Sequence, residues 1–162
     1  MRQPGSIRGF TLVELCCVLV IAGILAAVAG PRFLDSPAFG QRGYTDELAG
    51  VLRTAADVAS ASGCDVRVRI APAAGYRAAQ PSLGPGNACS GPFTVPVESA
   101  DGAALSGPPP SNADVSGAAT LTFAANGAVS GPTTITVVGT PSGATQPMTI
   151  KVDPQSGFVT VP

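Results

Sequence analysis

The sequence contains no histidine, and charge is sparse: nine basic and ten acidic residues make up 12% of 162. Without imidazole, the usual nucleophile–base pairs and general acid–base arrangements are missing. The carboxylates are scattered, with no pair at a spacing that points to chemistry, so catalysis is not expected. The same absence argues against a metal centre, because two thiols in the soluble part rarely hold zinc alone. No metal and no cofactor are expected. A formal net charge of −1, with no run of lysine or arginine, gives little attraction for nucleic acid or an anionic lipid surface.

What the chain does have is one long apolar run. Phe10 to Gly30 is a stretch of 21 residues with a single charge, Glu14, near its start. At about 1.5 Å per residue a helix of that length spans roughly 30 Å, the hydrocarbon thickness of a bilayer. A carboxylate in such a run costs roughly 2.5–3.5 kcal/mol at the membrane centre and less near an end. That cost calls for a partner charge, or for a place at the interface where the carboxylate reaches water.

Arg8-Gly9-Phe10-Thr11-Leu12-Val13-Glu14, the apolar run and Pro31 just behind it resemble the leader junction of type IV pilins and type II secretion pseudopilins. The resemblance covers Arg8 to about Phe33. It implies a prepilin peptidase that cuts after Gly9 and methylates the new amino terminus at Phe10, with Glu14 as the fifth residue of the mature chain. The cationic amine then lies four positions from the only anion of the run. Each group is costly alone in low dielectric and much less so as a pair. Between neighbouring subunits of a filament, that pair helps set the register of docking.

The resemblance divides the chain into a leader at 1–9, a transmembrane and assembly helix at 10–30, a helical continuation with proline breaks at 31–63, and a β-rich extracytoplasmic domain at 64–162. Loss of Arg2 and Arg8 with the leader leaves seven basic side chains against ten acidic ones. Two arginines before the run and only Arg32 close behind it place the N-terminus in the cytoplasm. The expected location is therefore the inner (cytoplasmic) membrane, spanned once, with the C-terminal domain periplasmic or extracellular in a filament. Cys16 and Cys17 fall inside the apolar run. Cys64 and Cys89 are alone in the soluble part, and in an oxidising compartment such a pair reads as a disulfide. A competing reading is an ordinary secretory signal cut after Ala29, which would release a soluble protein. Glu14 at the start of the apolar run, and the length of the run, argue against it.

Pro31 is expected to bend or end the helix, and Ser36-Pro37 to break it again. From Thr45 the helical pattern returns, with Thr45 as cap, Asp46 and Glu47 in the first turn, and an apolar stripe at Leu48, Val51, Leu52, Ala55, Val58, Ala59 and Ser62. Gly63 stops it. Arg53 and Asp57 stand at i,i+4, a spacing that supports an ion pair. Beyond Cys64 the period changes to two: Val66, Val68 and Ile70 face inward, and Arg67 and Arg69 face water. Further strands are expected at Tyr76–Gln80, Phe93–Glu98, Thr120–Ala124, Thr133–Val138, Met148–Asp153 and Phe158–Val161. Residues 81–92 read as a loop fixed at Cys89, and residues 99–117 as a long loop kept partly extended by Pro108-Pro109-Pro110. Asn126-Gly127 is a hairpin signal.

The fold class is therefore α+β and pilin-like, a long N-terminal hydrophobic helix followed by an antiparallel β-sheet packed on a helix. Arg42-Gly43-Tyr44, Ser62-Gly63-Cys64 and a late Phe123 to Gly127 segment resemble the GspH/FimT-like minor pseudopilins, and minor pilins of the mannose-sensitive haemagglutinin type. The function implied is a minor structural subunit of a type II secretion pseudopilus or type IV pilus. Its partners would be the prepilin peptidase, other pilin or pseudopilin subunits and the inner membrane. Some FimT-like pilins take up DNA through basic residues near the C-terminus. Here Lys151 is the only cation after Arg77, so nucleic acid is not expected as a partner.

Overall fold

The computed structural model describes residues 11–34, 37–140 and 145–162. The chain divides after Ser36 into two units, each described here by itself. In the first, helix α1 runs from Leu12 to Leu34. It continues through Pro31, so that proline does not end the helix.

The second unit opens on helix α2, Pro37–Ser62. Pro37 stands at the first helical position, where a missing N–H costs nothing because no intrahelical acceptor waits for it. The helix thus begins eight residues before the expected start at Thr45, and Gly40 and Gly43 lie within it. Glycine weakens a helix by roughly 1 kcal/mol, but at Gly40 the side chain of Asn112 occupies the place a Cβ would take. A close tertiary approach therefore overrides local propensity. Thr45 does not cap. It is buried in mid-helix, and its hydroxyl donates to the Gln41 carbonyl at 2.7 Å. Asp46 and Glu47 are accordingly not in the first turn. Gly63 ends the helix with φ 68°, as its position in the pattern requires.

Ten strands follow. β1 is Val66–Ala71, β2 Gly75–Pro81, β3 Phe93–Pro96, β4 Ser106–Gly107, β5 Ala113–Val115, β6 Ala119–Phe123, β7 Val129–Ser130, β8 Thr134–Gly139, β9 Met148–Val152 and β10 Val159–Thr160. They form two antiparallel sheets in place of the single one expected. The first has the order β3-β2-β1-β6-β7, with β4 also paired to β2, and the second β10-β9-β8-β5. Residues 99–117 are not one loop. They carry β4 into the first sheet and β5 into the second, and the chain returns to the first sheet at β6. Two- and three-residue strands are too short for a period to show in sequence, which is why the segment reads as loop.

Helix α2 packs against both sheets. Tyr44, Leu48, Ala49, Val51, Leu52, Ala55 and Ala59 form its buried stripe. The first sheet meets it with Val66, Val68, Ile70, Leu121 and Phe123, and the second with Val115, Ile135, Val137, Ile150 and Val152, all in one core. Of the expected stripe, Val58 is only partly buried and Ser62 is exposed. The Arg53–Asp57 pair does not form. Arg53 donates instead to the Val159 carbonyl at 3.1 Å and ties α2 to β10.

Candidate assembly segment and the surfaces of the folded unit

The start of α1 is set by a hydrogen bond within its own sequence. Thr11 precedes the helix, and its hydroxyl oxygen accepts from the backbone N–H of Glu14 at 3.2 Å. This leaves the Glu14 carboxylate in the first turn, where the helix dipole favours negative charge. Thr-x-x-Glu before an apolar run is a capping signature, and reading Glu14 only for its charge misses it. Gly9 and Phe10, the expected cleavage and methylation positions, lie outside the described residues.

From Leu12 to Leu25 the helix is apolar on every side, Glu14 apart. Leu12, Val13, Leu15, Val18, Leu19, Val20, Ile21, Ile24 and Leu25 are each more than half exposed, with Leu12 at 78%. Burying one such side chain fully is worth about 1.5–3 kcal/mol, so this surface needs an apolar surrounding on all faces. Cys16 and Cys17 are free and exposed and, with Val20 and Ile21, line an apolar hollow of about 270 Å³. Among the described residues no helix is long and apolar enough to cross a membrane. The span expected from Phe10 to Gly30 begins outside them.

In the folded unit, Cys64 and Cys89 are bonded, with their Cα atoms 5.5 Å apart. The bond fixes the loop after β2 to the C-terminal end of α2. At the other end of that helix, Gln41 is 2% exposed, although glutamine is seldom buried. Its side-chain amide donates to the Val137 carbonyl at 3.0 Å and to the Gln146 carbonyl at 2.8 Å, while its oxygen accepts from the Thr145 hydroxyl. No sequence signal marks Gln41, because its partners lie about a hundred residues downstream.

Both tyrosines of the chain lie near Glu47. Tyr76 donates its hydroxyl to the Glu47 carboxylate at 2.6 Å. Burial, that hydrogen bond and the Glu47 charge push its ionisation well above the usual range. Tyr44 is buried with a hydroxyl that has no partner among the described residues. Burial first, then the charges of Asp114 and Glu47, push it up to about 12. Among the described residues no cluster of three or more metal-ligating side chains occurs.

Arg67 and Arg69 stand on the outer face of the first sheet, as the alternation predicts. The structure adds Arg77, directly opposite Arg69 in the β1–β2 ladder. The Arg67 guanidinium lies 3.8 Å from the centroid of the Phe93 ring.

Residues 44–156 match the family described as Type II transport protein GspH, and residues 5–30 match the prokaryotic N-terminal methylation motif. Among curated proteins, the chain is 43% identical over 53 residues to the type IV narrow pilus major component PilA5 of Thermus thermophilus, covering 33% of this chain and 46% of that protein. It is 41% identical over 59 residues to a fimbrial protein of Pseudomonas aeruginosa, covering 36% of this chain and 38% of that one. The chain thus spans less than half the length of the curated relatives it matches. No solved structure matches it.

Proposed function

The chain belongs to the type II transport protein GspH family, within the pilin and pseudopilin superfamily, and on that premise we propose that it is a minor subunit of a type II secretion pseudopilus or type IV pilus. Members of this family are structural subunits held in the membrane through their N-terminal segment. In this reading a prepilin peptidase removes residues 1–9 and methylates Phe10. Helix α1 then resides in the inner membrane, with its start towards the cytoplasm, until it moves into a filament among neighbouring subunits.

The observation that carries the reading is the all-round exposure of apolar side chains on α1. Lipid tails and the helices of other subunits cover such a surface about equally well, so transfer between them has little net cost. That near-balance lets a filament be assembled and withdrawn. Glu14 is the exception, and its carboxylate is the group that distinguishes one docking register from another. It would meet the Phe10 amine of a neighbouring subunit, a pairing that removes two costs at once. The β-rich unit then extends outside the cytoplasm, where an oxidising environment maintains the Cys64–Cys89 bond.

Mass spectrometry of the mature protein tests the processing step. The expected N-terminus is N-methylated phenylalanine at position 10, whereas a start at Gly30 would replace the filament subunit with a simply secreted protein. The role of Glu14 has its own test. Glu14→Ala should be cleaved normally yet recovered poorly in sheared filaments, and normal recovery would remove the role assigned to the carboxylate.

A further inference from the structure

The outer face of the first sheet breaks a rule that sheets otherwise keep. Arg69 and Arg77 are directly opposite on adjacent strands, an arrangement in which like charges repel at a Cβ separation of about 5 Å. Arg67 lies two residues along β1 from Arg69 and diagonal to Arg77. Three of the seven basic residues beyond the leader are thus gathered on one strand pair. The ladder neighbours of β1's two arginines are Ala79, Thr120, Thr122 and Arg77, and Arg77 also faces Ser106. None of these carries a carboxylate. Arg69 and Arg77 are exposed, and the Arg67 guanidinium lies over the Phe93 ring. A local conflict kept without internal compensation is characteristic of a surface whose compensation comes from outside.

The surrounding shape has a direction. Hollows of about 490, 510 and 160 Å³ adjoin one another, and Arg77 lines all three. Sharing Arg77, they form one groove over β1, β2, β3 and β4, with Ala71, Gly107 and Pro108 towards one end and Pro96, Ala104 and Leu105 towards the other. The groove is therefore apolar at both ends and cationic in the middle.

We propose that this groove is a docking surface for an extended segment of another protein that carries acidic side chains two residues apart, flanked on the same face by small apolar residues. In an extended chain, alternate side chains lie about 6.6 Å apart on one face, which is also the spacing of Arg67 and Arg69 along β1. Each guanidinium offers a planar fork to a carboxylate. The apolar residues two positions before and after the acidic pair, on the same face, would meet the alanine, glycine and proline walls at the two ends. The occupant is not a second copy of this chain, because no two of its ten acidic residues stand two apart. Nucleic acid fits less well. Beyond the leader, acidic residues outnumber basic ones by ten to seven, so the overall field repels a long polyanion. Of the groove's aromatic residues, Phe93 is already covered by Arg67 and Tyr76 is hydrogen-bonded to Glu47.

The test uses the full chain in a neutral detergent and follows the fluorescence anisotropy of a labelled short peptide, Val-Ser-Glu-Ser-Glu-Ser-Val, whose alternate residues put both glutamates between two valines on one face. Comparison probes are the same peptide with both glutamates replaced by lysine and a short oligodeoxythymidylate. The expected result is binding of the glutamate peptide alone, falling with salt, and weakened about tenfold or more in Arg69→Gln/Arg77→Gln. Arg77→Lys should lie between, since it keeps the charge and loses the fork. Circular dichroism and self-association are measured on each variant, so that loss of fold is not mistaken for loss of contact. The proposal is overturned if the parent chain does not bind the peptide or if the folded double variant binds it equally well. It is equally overturned if the oligonucleotide binds more tightly, or if the double substitution instead abolishes self-association. None of these outcomes bears on the processing of the N-terminus.

Discussion

Replacing Gln41 by methionine should destabilise the folded unit by about 3 kcal/mol, although methionine has a similar length and suits an apolar core. Three polar groups depend on that side chain: the Val137 carbonyl, the Gln146 carbonyl and the Thr145 hydroxyl. Each hydrogen bond contributes roughly 0.5–1.5 kcal/mol net, and each buried partner left without one costs roughly 1–3 kcal/mol. Three bonds at the middle of the first range give about 3 kcal/mol, with some relief if Thr145 turns to water. Against a total stability of roughly 5–15 kcal/mol for a domain, that is a large share. The assay is urea unfolding of the full chain in neutral detergent, followed by far-ultraviolet circular dichroism, with the midpoint lowered and the slope unchanged. Hydrogen exchange should also rise first at the start of β9, where Met148 pairs with Val137 in the β8–β9 ladder. A Gln41→Met variant within about 0.5 kcal/mol of the parent, a range typical of surface substitutions, would refute the assignment and leave Gln41 as filler.

Two further perturbations follow from the same unit. Changing both Cys64 and Cys89 to serine opens a loop closed over 25 residues. The chain-entropy relation puts the loss at about 3.5 kcal/mol, or a drop in melting temperature of about 10 °C for a domain of this size; superimposable melts of parent and variant would contradict it. The two tyrosines give a pH test. An ordinary tyrosine ionises near 10, but here Tyr44 is pushed up to about 12 and Tyr76 is raised as well. The folded state therefore holds these protons more tightly than the unfolded chain. Stability should be undiminished below pH 10 and should fall as pH rises from about 10 to about 12. Tyrosinate absorbance should stay flat through pH 10 in the folded protein, and half the signal titrating there would sink the account.

The sequence reveals features whose cause is local. The period-two pattern from Val66 to Ile70 places the inward side chains of β1 correctly, and the 3–4 spacing from Leu48 to Ala59 finds the buried stripe of α2. Gly63 ends that helix as its position implies. Features with distant causes are not legible in the same way. The early start of α2 depends on Asn112 approaching Gly40 and on Gln41 reaching residues about a hundred positions away. Thr45, read as a cap from its neighbours Asp46 and Glu47, is claimed by the core. The split into two sheets turns on β4 and β5, which are too short to show a period. Arg77 illustrates the limit for the surface. Nothing near it in sequence marks it as part of a cluster, and only the β1–β2 register brings it opposite Arg69.

One helix serves as the common wall of both sheets, and this bears on how the unit carries load. Load entering the folded unit at its first residue, Pro37, passes first into α2. Because Leu52 and its neighbours are gripped from two sides, α2 cannot be drawn out without breaking both packed faces. The pulled end is also where Gln41 fastens the helix to β8, while the far end is held by the Arg53 link to β10 and the Cys64 bridge. The folded unit would thus yield as a whole or hold as a whole.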